Sequence, residues 1–341
     1  MDPLTHTATG WLLARAGLDR AAPYATATLV VAANIPSLGW IHLLAGADAY
    51  LANGNAWSHS LLGASALGAA VGFGFAKLAA ARLRQGFGGQ APSVHSCARL
   101  VGLGALGALS HTALDWMTAS GAQLLWPFSR AWYALDWFPY FDLWLLVAMG
   151  LGVGLPALFK LVTEEIGART TRAGARRGAW VALIALVVLA GLRWNQHGEA
   201  VAQLDARLYA GRTPLRVAAF PMPLNPFRWQ GVAETDTTHE RVDVVLLGRR
   251  GEAESRTYYK PAEAPALEAA LAAGSARSFL AWARFPRATL TPAPGGWEVQ
   301  LDDLRFATES GQPRMFMVRI EVNRELDLVG EEIRFSPFGG D

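Results

Sequence analysis

One cysteine, Cys97, stands in 341 residues. That excludes an internal disulfide framework and a cysteine-rich zinc site. Charge is scarce as well: 17% of residues are charged against 52% hydrophobic. With a mean hydropathy of +0.20, the chain is too apolar for an ordinary soluble protein and too polar to be all membrane. No block of Lys and Arg and no RNA-binding signature accompanies the net charge of +2, so no nucleic-acid partner is expected. The start MDPLTHTATG has no basic n-region, so no cleavable signal peptide is expected. The glycines of RQGFGGQAPS are not followed by Lys-Ser/Thr, which excludes a phosphate loop.

Long apolar runs are what the chain does have. Residues 25–46, 57–81, 98–117, 140–162 and 178–194 each approach or exceed the roughly 20 residues of a spanning helix. A sixth stretch, 3–19, is shorter and carries Arg15. Arg82, Arg84 and Arg99 flank one connection, and Lys160, Arg169, Arg172, Arg176 and Arg177 crowd another. Positive residues mark the cytoplasmic side. With Arg15 and Arg20 inside, six spans follow, with both termini on the outer, periplasmic face of the inner membrane. Pro36 in NIPSLGW should break the second span and would bring His42 and Asp48 into an outer loop. Glycine- and alanine-rich runs such as LLGASALGAAVGFGFA read as close helix packing.

On this topology Asp2, His6, His59, His111 and Asp115 all fall near the outer face. Asp2/His6 and His111/Asp115 are i, i+4 pairs on single helix faces. Ionisable groups at such depths are costly and need a reason. A metal ion uses imidazoles and carboxylates together. His6, His59 and His111 would supply three nitrogens to a zinc ion with one position open, with manganese as the second choice. Asp2 and Asp115 would be further ligands or acceptors that fix the ring tautomers. Ser58 beside His59 and Ser110 beside His111 suggest a Ser–His nucleophile, but neighbours in sequence do not face each other on a helix. The loop 117–140 is rich in aromatics, as an interfacial belt or lid would be.

From about residue 195 long apolar runs vanish. Residues 198–212 read as a polar amphipathic helix. RVDVVLLG, SRTYYK, RATLTP, WEVQLDDLRF, RMFMVRIEVNR and EEIRFS alternate with period two and read as strands. PALEAALAAG and ARSFLAWARF read as short helices. The expected fold is therefore mixed: an all-α membrane bundle over 1–195, then a small periplasmic α+β domain over 196–341. In that domain Asp302 and Asp303 read as turn or surface residues, and His239 as a loop residue.

The segments MDPLTHTATGWLLARAGL, WSHSLLGA and LSHTALDWMTASGAQLLWPFSRAWYALDWFPYFDLWLL resemble the YdjM-type inner-membrane proteins, described as membrane-bound metal-dependent hydrolases. The resemblance covers roughly residues 1–160, and the tail stretches FPMPLNPFRW and DLRF are similar to those of long members. It implies that Asp2, His6, His59, His111 and Asp115 are metal ligands or their immediate partners. It also implies that Gly121, Pro127 and Phe128 shape the adjoining loop, with Asp136 and Asp142 near the site. Family members carry Pro-Asp-x-Asp where this chain has Pro36-Ser37-Leu38-Gly39, and His-Arg where it has Gly54-Asn55. Asp115 or Asp142 would be the general base. The expected activity is hydrolysis of a lipid-like ester or phosphoester. The alternative is a catalytically altered membrane anchor whose outer domain binds a partner or envelope component. A transporter fits less well, because no pair of broken helices stands in matching halves.

Overall fold

In a computed structural model the chain divides into two units. One is Met1–Gly39 with Asn55–Asn195, and the other is Trp40–Gly54 with Gln196–Asp341. The structure describes residues 1–53, 56–85, 94–165, 172–247, 255–308, 311 and 315–336. Gly54, Asn55, Arg169 and the connection 86–93 lie outside them. In chain order the helices are α1 (Pro3–Arg15), α2 (Ala25–Ala32), α3 (Ala47–Asn53), α4 (Leu61–Arg84), α5 (Val94–Trp116), α6 (Leu143–Glu165) and α7 (Arg172–Asp205). After them come β1 (Arg216–Pro221), β2 (Arg228–Glu234), β3 (Thr238–Val245), β4 (Ser255–Tyr259), α8 (Pro265–Leu271), α9 (Gly274–Trp282), β5 (Pro286–Ala293), β6 (Gly296–Asp303), β7 (Met315–Asn323) and β8 (Leu328–Ser336).

Six spans are expected from the sequence. Among the described residues, four helical stretches are long and apolar enough to cross a membrane: Ala25–Ala45, Leu61–Arg82, Val94–Trp116 and Arg176–Asp205. The apolar stretch Leu143–Pro156 of α6 is shorter, and α1 has only 13 residues. The first of these, Ala25–Ala45, is interrupted where Pro36 stands: α2 stops at Ala32, and a 3₁₀ segment runs over Ile35–Ala45. Proline has no N–H to give the i−4 carbonyl, which ends regular α-helix here.

Small residues set the packing of the first unit. A methyl group on Gly104 would meet the Gly68 carbonyl oxygen at 2.0 Å, and one on Gly72 would meet the Leu100 carbonyl oxygen at 2.1 Å. The backbones of α4 and α5 therefore approach as only glycine permits. Gly10 of α1 and Gly107 of α5 both abut the Leu29 carbonyl of α2 in the same way, at 2.8 and 2.9 Å. Arginines gather at one end of this bundle. Arg99 donates to the Ala21 carbonyl (3.2 Å), and Arg176 Nε to the Ala16 carbonyl (3.0 Å).

The second unit holds two four-stranded antiparallel sheets, β1-β2-β3-β4 and β5-β6-β7-β8. The last turns of α7 cover the first sheet, burying Ala200 and Leu204 with Ala219, Trp229 and Val242. α8 and α9 pack against the second sheet. Tyr50 of α3 stacks on Phe316 (5.7 Å), which is why Trp40–Gly54 belongs with this unit. Three readings of the tail are corrected. Asp302 and Asp303 are fully buried at the end of β6, paired with Arg287 (2.9 Å) and Arg305 (2.9 Å). His239 is a buried residue of β3, not a loop residue. Buried carboxylates need partners of this kind.

Candidate metal centre

Three helix ends bring the candidate residues together. His6 lies in the first turns of α1, where Pro3 opens the helix and Asp2 caps it. The Asp2 carboxylate accepts from the Thr5 amide (3.0 Å) and the Thr5 hydroxyl (2.6 Å). That is the chemistry of an N-cap. His59 lies in the turn before α4, which Ser60 caps by accepting from the Gly63 amide (2.9 Å). His111 and Asp115 lie one turn apart near the C-terminal end of α5.

The carboxylate of Asp115 is the hub. Its Oδ2 is 3.1 Å from His59 Nε2 and 3.2 Å from His111 Nε2, and its Oδ1 is 3.3 Å from His6 Nε2. The Met1 amine also pairs with Oδ1. The ligand atoms of His6, His111 and Asp115 all lie within 4.8 Å of one another, and His59 Nε2 is 3.2 Å from His111 Nε2. The His6 and His111 rings stack with centroids 3.6 Å apart. All four side chains are buried, Asp115 being the most open at 7% exposure.

Proton positions decide what this cluster wants. His111 Nδ1 is 2.8 Å from the Ala33 carbonyl oxygen. A carbonyl only accepts, so Nδ1 carries the proton and a neutral ring leaves a lone pair on Nε2. That lone pair faces a carboxylate oxygen and a second imidazole nitrogen. Acceptors that close attract only through a shared proton or a cation. Neither ring nitrogen of His6 makes a hydrogen bond, although the residue is 1% exposed. A buried imidazole 3.3 Å from a carboxylate oxygen and without a hydrogen bond has the donor set a divalent metal takes. The residues therefore fit such an ion.

The other candidates are placed differently. Asp142 caps α6 by accepting from the Leu145 amide (2.9 Å) and pairs with Arg193 (2.8 Å), and both members are buried. Asp136 is buried at φ +58°. Gly121 is held at φ +64°, and a methyl group there would meet the Tyr133 carbonyl oxygen at 2.6 Å. The 117–140 loop is thus folded back on itself, with Ala122 and Tyr133 exchanging backbone hydrogen bonds at 3.0 Å. Pro127 is exposed, and Phe128 is 85% exposed. His42 and Asp48 lie in the segment that belongs to the second unit.

One partner escapes sequence reasoning, and another is set aside by it. The Ala33 carbonyl is free to hold His111 because the chain breaks before Pro36 and the Ser37 amide turns to Asn34 instead (3.1 Å). Pro36 is the readable sign of it. Ser58 is the second: its hydroxyl is 2.9 Å from His59 Nδ1, because residues 57–60 form a turn and not a helix. Ser110 donates to its own helix at the Gly107 carbonyl (2.7 Å).

Comparison with known families decides the affiliation. The model of the YdjM inner membrane protein family matches residues 1–200. The chain belongs to this family. No curated protein and no solved structure matches it. The matched region contains every residue of the His/Asp cluster.

Proposed function

We propose that this YdjM-family protein is a membrane-bound metal-dependent hydrolase. His6, His59, His111 and Asp115 would hold the ion, zinc or alternatively manganese, at the outer face of the inner membrane. The observation that carries this is a single buried carboxylate within 3.3 Å of three imidazole Nε2 atoms. A bound divalent ion supplies Lewis acidity and an activated water. The chain's own residues prepare the ligands. The Ala33 carbonyl fixes the His111 tautomer, and the Ser58 hydroxyl orients His59. Asp115 is the carboxylate in reach of a proton at the centre. Asp142, already engaged by Arg193 and the Leu145 amide, would act as base only after releasing them. The rim of Gly121, Pro127, Phe128 and Asp136 would receive a lipid-like ester or phosphoester.

Charge placement supports the sidedness. Each helix that carries a centre residue at one end carries arginine at the other: His6 and Arg15 in α1, His59 ahead of α4 and Arg82 within it, Arg99 and His111 in α5. Arginine-rich ends face the cytoplasm; on that rule the centre, both termini and the 196–341 domain would lie outside. A second reading, a metal-stabilised anchor whose outer domain binds an envelope component, is favoured by the burial of all three histidines at 1–2% exposure.

The test is elemental analysis of the detergent-purified protein beside a His6→Ala/His111→Ala variant. Near-stoichiometric metal that disappears in the variant is expected. No metal, or metal unchanged by the substitutions, overturns the centre. Metal retained without turnover of any ester or phosphoester leaves the anchor.

A further inference from the structure

We infer that the N-terminal part of α7 carries a binding site for an anionic phospholipid. A cleft of about 500 Å³ is lined by Arg176, Arg177, Trp180, Val181 and Ile184. Positions 177, 180, 181 and 184 follow helical i, i+3, i+4, i+7 spacing, so they form one stripe. The stripe runs from two guanidinium groups to an apolar wall: Trp180, Val181 and Ile184 are 50%, 65% and 57% exposed.

The polar end is built and oriented. Arg176 Nε and Trp180 Nε1 both donate to the Ala16 carbonyl oxygen, at 3.0 and 3.1 Å. That carbonyl belongs to the cap residue of α1. The bond holds the guanidinium in place and leaves its remaining N–H donors for another acceptor. Neither Arg176 nor Arg177 has a carboxylate partner among the described residues. Trp180 borders the cleft with its indole N–H tied down and its ring open to the bilayer boundary, where indoles are enriched.

The chemistry of the cleft selects its ligand. Two cations without a counter-ion among the described residues want a phosphate, and guanidinium groups match phosphate geometry. The apolar continuation along Val181 and Ile184 suits an acyl chain, which a free phosphate lacks. A zwitterionic headgroup brings its own cation towards the arginines, so a net-negative headgroup is preferred. Basic pockets of this kind at the cytoplasmic ends of spans bind acidic headgroups.

The experiment is native mass spectrometry of the intact, detergent-purified chain. It is offered phosphatidylglycerol, phosphatidylethanolamine and inorganic phosphate separately, with melting temperature as a second readout. Phosphatidylglycerol should bind several-fold more tightly than phosphatidylethanolamine, and inorganic phosphate should neither bind nor raise the melting temperature. Arg177→Gln should weaken phosphatidylglycerol about fivefold, the value of one basic residue at an acidic membrane surface, and Arg177→Lys should restore most of it. Equal binding of the two lipids overturns the site, and so does an unaffected Arg177→Gln. Inorganic phosphate competing as well as the lipid would make this a simple anion site. The wild-type lipid comparison stands even if a variant fails to fold.

Discussion

Asp115→Asn is the sharpest perturbation of the centre. The change keeps the shape of the side chain but removes its charge and turns one oxygen into a donor. Oδ2 serves His59 and His111 and Oδ1 serves His6, so either orientation of the amide points an N–H at an imidazole. A metal at 100 times its Kd stabilises the folded state by ~2.7 kcal/mol. At ~2–4 °C per kcal/mol for a unit of this size, that raises the melting temperature by ~5–11 °C. Loss even of a supporting partner weakens metal sites ~10–100-fold. At the hundredfold end the same metal concentration gives only ~0.4 kcal/mol, or a shift of ~1–2 °C. The assay is differential scanning fluorimetry in detergent, with zinc titrated into chelator-stripped protein. Asp142→Asn is the comparator, because it disturbs a buried ion pair with Arg193 outside the cluster. It should lower the melting temperature while keeping the zinc-induced rise. A zinc-induced rise that survives Asp115→Asn, or falls equally in both variants, would refute the assignment.

Three further outcomes follow from the geometry. Pro36→Ala should restore an N–H, extend α2 and draw the Ala33 carbonyl away from His111, weakening zinc ~10–100-fold; unchanged affinity in a zinc titration would mean the carbonyl is not what sets the tautomer. Gly104→Ala should lower stability by ~1–3 kcal/mol by forcing α4 and α5 apart, whereas Gly102→Ala, which meets nothing within 4 Å, should be neutral or stabilising; thermal melts compare the two. In the tail, burial pushes His239 down to about 4, against the pull of Glu234. The folded state therefore binds fewer protons than the unfolded state between about pH 4 and 6.5. The His239 contribution is complete above pH 6.5 and is lost as pH falls through that window. Denaturant unfolding of His239→Gln should show a shallower acid loss than the wild type, and parallel pH profiles would contradict this.

The α+β character of the tail is legible because the segments of β3 to β8 read as period-two alternation with β-branched and aromatic residues. β1 and β2 do not announce themselves. RVAAFP and RWQGVAE are rich in Ala and Gly, which disfavour strands, and they are strands because each pairs with its neighbour. Gly231 is a close-approach position: a methyl group there would meet the Leu204 side chain of α7 at 2.4 Å. Span counting reaches six because apolar composition does not reveal how short α1 is, at 13 residues, nor that the apolar stretch of α6 is only Leu143–Pro156.

Identical spacing can carry different meanings at opposite ends of a helix. Asp2/His6 and His111/Asp115 are both i, i+4 pairs. At the start of α1 the backbone has unsatisfied N–H groups, and Asp2 is spent on them through Thr5. Asp-Pro-x-Thr is itself a capping pattern, so that much could be read from the sequence. Near the end of α5 the orphan groups are carbonyls, which do not compete for a carboxylate. Asp115 therefore stays available to three imidazoles. The rule that neighbours do not face each other fails for Ser58 and His59 for a related reason: it holds only inside a helix, and α4 starts at Leu61. The chemistry gathers at the ends of helices, where local pattern rules are weakest and where a freed carbonyl, a cap or a turn decides which atoms meet.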